Sequence, residues 1–306
     1  MIVDMPGTSV SKIGRKLQDL RDSGGVVALG RVLTLLIDTD AKNFEDAVAA
    51  ANAASRLHPS RIILLSRGSS QEASKLDAEI RVGGDAGASE VVVLRPQGEA
   101  CSNPESLVTG LLLPDAPVVT WWPDAAPRKP SASAFGQISS RRLTDSAATE
   151  NPVEFLKILA KNYQPGDGDM SWTRISLWRA QLAALINEHL NRKVTDIEVL
   201  GSENSPSAWL LAKWLEMRLG STSHLTTSLG GQALEGIKGV IITFADGSLS
   251  VIREGTLAKI NQTGAPDSQV LLPKRSDQDC LIEDMRFLGE DEVYGEVLRY
   301  FGKNFK

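Results

Sequence analysis

The chain has 306 residues, 42% of them hydrophobic and 23% charged, enough for two domains that fill their cores without staples. A net charge of −5, with no basic block longer than Arg141–Arg142, excludes a partner whose phosphate backbone must be neutralised, so no nucleic acid is expected. The opening MIVDMPGTSVSK lacks the apolar core of a signal peptide, no apolar run could span a membrane, and Cys101 and Cys280 lack metal-ligand spacing; together these predict a reduced, cytoplasmic protein.

The run GGVVALGRVLTLLIDTD (Gly24 to Asp40) reads as a strand buried on both faces. Asp40 to Asn43 then offer capping chemistry to the alanine-rich helix FEDAVAAANAASRLH, which ends at His58–Pro59. RIILLSR (Arg61 to Arg67) is a second buried strand, so the three form a βαβ unit with a right-handed crossover. KLDAEIRVGG (Lys75 to Gly84) alternates and predicts an edge or antiparallel strand. SEVVVLRP is again buried, NPESLVTGLLL is a short helix, PVVTWW is the next strand, and Ser140–Leu143 hides another. NPVEFLKILAKN is a helix, and YQPGDGD after it is the best linker candidate.

Beyond it, SWTRISLWRAQLAALINEHL reads as one helix, VTDIEVLG as a strand and SPSAWLLAKWLEMRLG as a helix with N-cap Ser205 and Pro206 at its first position. Asp246–Gly247 between alternating runs predicts a hairpin, and a helical stretch closes the chain. The fold class is α/β: a mostly parallel N-terminal α/β domain over residues 1–165, then an α+β domain with an antiparallel sheet over 166–306.

No constellation reads as a catalytic site. His58, His189 and His224 are scattered; His58 suits helix-end capping and His189 falls in an apolar arc. GGQALEGIKG (Gly230 to Gly239) fails as a phosphate loop, because Ile237 separates Gly236 from Lys238 and no hydroxyl follows. VGGDAGAS (Val82 to Ser89) fails the dinucleotide spacing and precedes a strand, so it reads as a loop. Arg141–Arg142 could hold an anion or lie along a solvated strand edge. No cofactor and no metal are expected.

Tryptophan is the unusual feature. Trp121 and Trp122, adjacent in a strand, point to opposite faces; both can be core, or, at the strand's C-terminal end, line a binding crevice. On a helical wheel Ile175, Trp178, Leu182, Leu185, Ile186 and His189 form one arc, and Arg179 projects into it between Ile186 and Leu190, with Trp172 on its side. Such an arginine either pairs at a domain junction or faces a partner. Trp209, Leu210, Leu211, Trp214, Leu215 and Met217 make the later helix apolar nearly all round, so one face needs the N-terminal domain or another chain. Trp121, Trp122, Trp172, Arg174, Arg179, Trp209 and Trp214 are the candidate partner-binding residues. A crevice near Trp122, Asp124 and Arg141–Arg142, serving a sugar-phosphate sensor or enzyme, is the alternative.

Five stretches in order, GGVVALGRVLTLLI, ANAASRLHPSRIILL, PVVTWWPDAAP, GDMSWTRISLWRAQLAAL and ADGSLSVIREG, resemble the OpcA family of glucose-6-phosphate dehydrogenase assembly proteins, in an actinobacterial spelling. The resemblance spans essentially the whole chain. It implies a non-enzymatic protein of the oxidative pentose phosphate pathway, an assembly factor and allosteric activator whose partner is glucose-6-phosphate dehydrogenase. It brings no catalytic residues. The redox control associated with cyanobacterial members has no matching positions in Cys101 and Cys280.

Overall fold

The computed structural model describes residues 1–23, 32–40, 42–82, 90–189 and 191–304. In chain order these form β1 (Ile2–Met5), α1 (Val10–Ser23), β2 (Leu33–Thr39), α2 (Phe44–Ser55), β3 (Ser60–Ser66), β4 (Lys75–Val82), β5 (Glu90–Gln97), α3 (Pro104–Thr109), β6 (Val118–Trp122), α4 (Ala134–Gln137) and β7 (Arg141–Thr144). There follow α5 (Pro152–Asn162), β8 (Asp167–Asp169), α6 (Met170–Thr173), α7 (Ser176–Asn187), β9 (Val194–Gly201), α8 (Pro206–Leu219) and β10 (Ser223–Thr226). The last are β11 (Ser228–Leu229), β12 (Gln232–Ala233), β13 (Ile237–Phe244), β14 (Gly247–Glu254), β15 (Leu257–Gln262), β16 (Ser268–Leu271), α9 (Asp277–Asp284) and α10 (Glu292–Asn304).

The chain divides into two compact units that interleave along the sequence. The first comprises Met1–Ala148, Gly166–Gly168 and Asp277–Glu290; the second comprises Thr149–Pro165, Asp169–Ser276 and Asp291–Lys306.

The eight-stranded sheet runs β1-β4-β5-β3-β2-β6-β7-β8. Strands β5, β3, β2, β6 and β7 are mutually parallel, while β4 pairs antiparallel with β5 and with β1. The buried parallel strands are the β-branched and leucine runs of the sequence, as helices on both faces require. On one face Ile13 and Leu17 of α1, Leu107 and Val108 of α3 and Phe135 of α4 pack with Leu36, Ile63 and Trp122. Leu35, Ile37, Leu64 and Trp121 alternate with these and point the other way, where α2 packs against α9.

Several expectations change here. The first strand begins at Leu33, and residues 24–31 of the expected run lie outside the described residues, as do 83–89 of the expected loop. Strand β4 is antiparallel as expected, but β1 covers its outer side, so it is no edge. The sequence GDGD, expected in a linker, holds the buried strand β8. Its glycines serve close approach: a Cβ on Gly168 would stand 2.8 Å from the Arg141 guanidinium, and one on Gly166 would stand 2.7 Å from the Ser140 carbonyl.

The second unit is built on the sheet β10-β9-β13-β14-β15-β16, antiparallel except for β10 with β9. The expected hairpin forms between β13 and β14, but Phe244 pairs with Gly247, so its two-residue turn is Ala245–Asp246, one residue before the Asp246–Gly247 pair that signalled it. The long helix expected from Ser171 breaks at Arg174–Ile175 into α6 and α7. On α8, Ser205 caps Ala208 N–H at 3.2 Å with Pro206 at the first position. One of the helices that cover its apolar circumference, α5, lies within residues 1–165, the stretch expected to supply part of that cover. Within the second unit, α5, α6 and α10 pack on it along with β9 and β10.

Candidate functional site

Parallel strands put their C-terminal ends on one edge of the first unit's sheet. The chain builds outward from β2 through β3 and β5 on one side and through β6 and β7 on the other, so the topological switch point lies between β2 and β6. Around it stand Asp38, Thr39 and Asp40 at the end of β2, Arg67 after β3, and Trp122 and Asp124 at and after the end of β6. The Asp124 carboxylate accepts from Thr39 Oγ1 at 2.7 Å, Asp40 N–H at 2.9 Å, Asn43 Nδ2 at 3.3 Å and Ala125 N–H at 2.6 Å, and from the Arg67 guanidinium. Arg67 also donates to Asp38 Oδ1 at 2.8 Å, and the Trp122 indole N–H donates to Asp38 Oδ2 at 3.1 Å. The Asp40 carboxylate turns the other way and takes the N–H groups of Lys42 and Asn43, shaping the entry to α2.

The two carboxylates beside Arg67 titrate in opposite senses. Burial raises Asp38 above its ordinary value, and Arg67 and Trp122 only partly offset it. Burial also acts on Asp124, but the Asp40 N–H, the Thr39 hydroxyl and Arg67 outweigh it and hold that carboxyl below its ordinary value.

Arg141 and Arg142 do not join this site. They begin β7, with Arg141 beside Val119 and only Thr144 level with Trp122. Both are buried: Arg141 donates to Asp284 at 2.8 Å, and Arg142 donates to Asp167 and to the Ser139 carbonyl. They are neither a solvated edge nor part of a crevice with Asp124.

The tryptophans are largely interior. Trp121, Trp122, Trp172 and Trp214 are buried, Trp209 is half-buried, and Arg174 and Arg179 are half-buried. Trp121 Nε1 is buried without a hydrogen-bond partner. In the second unit the Trp172 indole donates to Asp291 at 2.7 Å and its ring lies 5.8 Å from Tyr294. Arg179, expected on the same side as Trp172, stacks on that ring at 3.7 Å although the two residues belong to different helices, and it donates to Ser176 Oγ at 3.1 Å. Leu190, its expected neighbour, lies outside the described residues. Trp209 donates to the Glu203 carbonyl at 2.8 Å and walls a cavity of about 500 Å³ shared with Glu150, Glu154, Lys157 and Asn204.

His58 Nε2 reaches the Ile282 carbonyl of α9 at 3.0 Å rather than its own helix end, and His189 lies against Phe244 at 5.3 Å. His224 faces Asp196 at 3.3 Å on the surface. Cys280 is buried and Cys101 half-buried, and neither is in a disulfide. Among the described residues no group of three His, Cys, Asp or Glu side chains could hold a metal, and no helix is long and apolar enough to cross a membrane.

Two family models match in succession: the glucose-6-phosphate dehydrogenase subunit N-terminal domain over residues 51–161 and the corresponding C-terminal domain over residues 165–298. The chain belongs to the OpcA family of glucose-6-phosphate dehydrogenase assembly proteins. A search of curated proteins finds no match. Among solved structures it is similar to an oxidoreductase from Thermotoga maritima (12% identity, TM-score 0.49, covering 89% of this chain and 95% of that one). It is also similar to apo scyllo-inositol dehydrogenase from Lactobacillus casei (10%, TM-score 0.49, 89% and 94%). A third is UDP-N-acetylglucosamine 3-dehydrogenase from Acidithiobacillus ferrooxidans (9%, TM-score 0.39, 87% and 95%). At these identities and scores the likeness says nothing of activity.

Proposed function

We propose that this OpcA-family chain is a non-catalytic cytoplasmic assembly factor that binds glucose-6-phosphate dehydrogenase and activates it by favouring its active conformation or oligomer. The observation that carries the reading is the state of the switch point. Open α/β sheets bind their ligands there, and here the polar groups of that edge are spent on one another around Arg67, Asp38 and Asp124. With the interior tryptophans committed to the two cores, Trp209 is the aromatic candidate for the contact. Its indole is fixed by Glu203 at the mouth of a cavity where Glu150, Glu154 and Glu203 outnumber Lys157, a setting that favours a basic side chain of the dehydrogenase over the ring.

The test mixes the purified chain with its dehydrogenase. Co-elution on size exclusion, raised dehydrogenase activity and no glucose-6-phosphate oxidation by the chain alone are expected. Trp209→Ala, assayed at a temperature where the variant is fully folded, should weaken the complex roughly thirtyfold, the effect of losing about 2 kcal/mol at an interface anchor. Failure to co-elute, or turnover by the chain alone that a point substitution in the chain abolishes, overturns the proposal. A tight complex that Trp209→Ala leaves untouched moves the contact elsewhere.

A further inference from the structure

The parting of the loops between β2 and β6 is where an open α/β sheet characteristically receives an anionic group, at the start of the helix that follows the first strand. In this chain four donors from the far side of that parting converge on one point: the Thr39 hydroxyl, the Asp40 N–H, the Asn43 amide and the Arg67 guanidinium. A hydroxyl, a backbone N–H, an amide and a guanidinium aimed at one spot are the chemistry of an anion seat. What sits there is the side chain of Asp124, reaching across from the end of β6 and itself 6% exposed. The turn that supplies the donors does not need Asp124 for its shape, because Asp40 already ties the N–H groups of Lys42 and Asn43.

We infer that the switch point of the first unit is an anion-binding seat which the chain fills with its own Asp124 carboxylate, closing the crevice to nucleotide phosphates. The carboxylate is an intramolecular stand-in for a ligand. It satisfies the donors, neutralises Arg67 jointly with Asp38, and joins the ends of β2, β3 and β6.

Replacing Asp124 with glycine removes a group of the size and charge of acetate and leaves the donors in place. Thermal unfolding of Asp124→Gly and of the wild type would be followed in acetate, in inorganic phosphate and in chloride at matched ionic strength. The variant should gain a saturable stabilisation from acetate or phosphate that chloride does not give, roughly 3 °C at ten times the apparent Kd. The wild type should gain none, and NADP or pyrophosphate should leave its melting temperature unmoved. An equal response of variant and wild type, a response to chloride as large as to acetate, or stabilisation of the wild type by NADP overturns the inference. If Asp124→Gly does not fold in chloride, refolding it from urea in acetate should recover it, and failure of acetate to do better than chloride overturns the inference equally. The inference deepens the reading of the switch point given under the proposed function, but no dehydrogenase enters these measurements, so they can fail while co-elution and activation succeed, and the reverse.

Discussion

The two units accommodate arginine in different ways. In the first, guanidiniums in the interior meet carboxylates: Arg61 with Glu90, Arg141 with Asp284, Arg142 with Asp167, and Arg67 with Asp38 and Asp124. In the second, an aromatic face recurs beside the cation: Arg179 on Trp172, Arg253 on Trp178, Arg299 on Tyr163, and Arg192 on Phe244, although Arg192 also pairs with Asp246 at 2.6 Å. The division is not absolute, since Arg81 and Arg95 approach Phe44 in the first unit and Lys213 pairs with Glu216 in the second. It still has a physical lesson. A parallel sheet gathers strand ends from remote parts of the chain and can bury matched charges there. The second unit's many rings offer cations a partner that never titrates. Breaking an interior ion pair leaves a charge behind, whereas breaking a stack exposes only a ring.

The largest effect should come from Arg141→Ala. Asp284 is 6% exposed, and losing the cation that faces it should cost about 3–5 kcal/mol, read as a fall in the urea midpoint. A loss under about 1 kcal/mol would mean that water reaches the pair in solution and would erase the contrast between the units.

Arg179→Ala should cost less, about 1 kcal/mol, because it removes a stack from a ring that keeps its own hydrogen bond to Asp291. Activation of the dehydrogenase should then change only in step with stability. Weakened activation at an unchanged melting temperature would instead assign Arg179 to the partner surface.

The smallest effect is a pH dependence that sharpens the comparison. Asp124 lies below its ordinary value of 3.8, so its contribution is present above that pH and is lost as pH falls through its folded value. Asp38 lies above 3.8, so ionising it costs stability, and lowering the pH through its raised value returns that cost. Asp38→Asn should therefore lack the gain that the wild type shows on mild acidification, while the loss below about pH 4 remains. Superimposable profiles for Asp38→Asn and wild type would refute the assignment to Asp38.

Much of the architecture was legible because its signals are local. Continuous apolar runs declare β2, β3, β5 and β6, Asp246–Gly247 declares the hairpin although its turn falls one residue earlier, and Ser205–Pro206 declares α8. What was missed depends on distant partners. Strand β8 reads as a linker by composition, and only the approach of Arg141 explains why glycine stands at 168. The break between α6 and α7 carries neither proline nor glycine. The cover of α8 comes from helices that the sequence places on either side of it at long range. At the candidate site Asp124 and Trp122 could be named from their position at a strand end, but Arg67 enters only once β3 is known to lie beside β2. Arg141 and Arg142 were grouped with Asp124 by sequence nearness. The register of β7 against β6 sets them at the opposite end of the strand.

The first unit closes with a segment drawn from far along the chain. Helix α9 lies on α2, takes the ring of His58 on its Ile282 carbonyl and supplies Asp284 to Arg141, yet it follows some hundred residues of the second unit in the chain. On the ribosome, therefore, the N-terminal sheet emerges long before its cover, with the apolar side of α2 bare and Arg141 lacking its carboxylate. A fragment stopped at residue 165 would repeat that unfinished state permanently, and a holding chaperone or the simultaneous presence of residues 277–290 as a separate peptide is what its solubility would require.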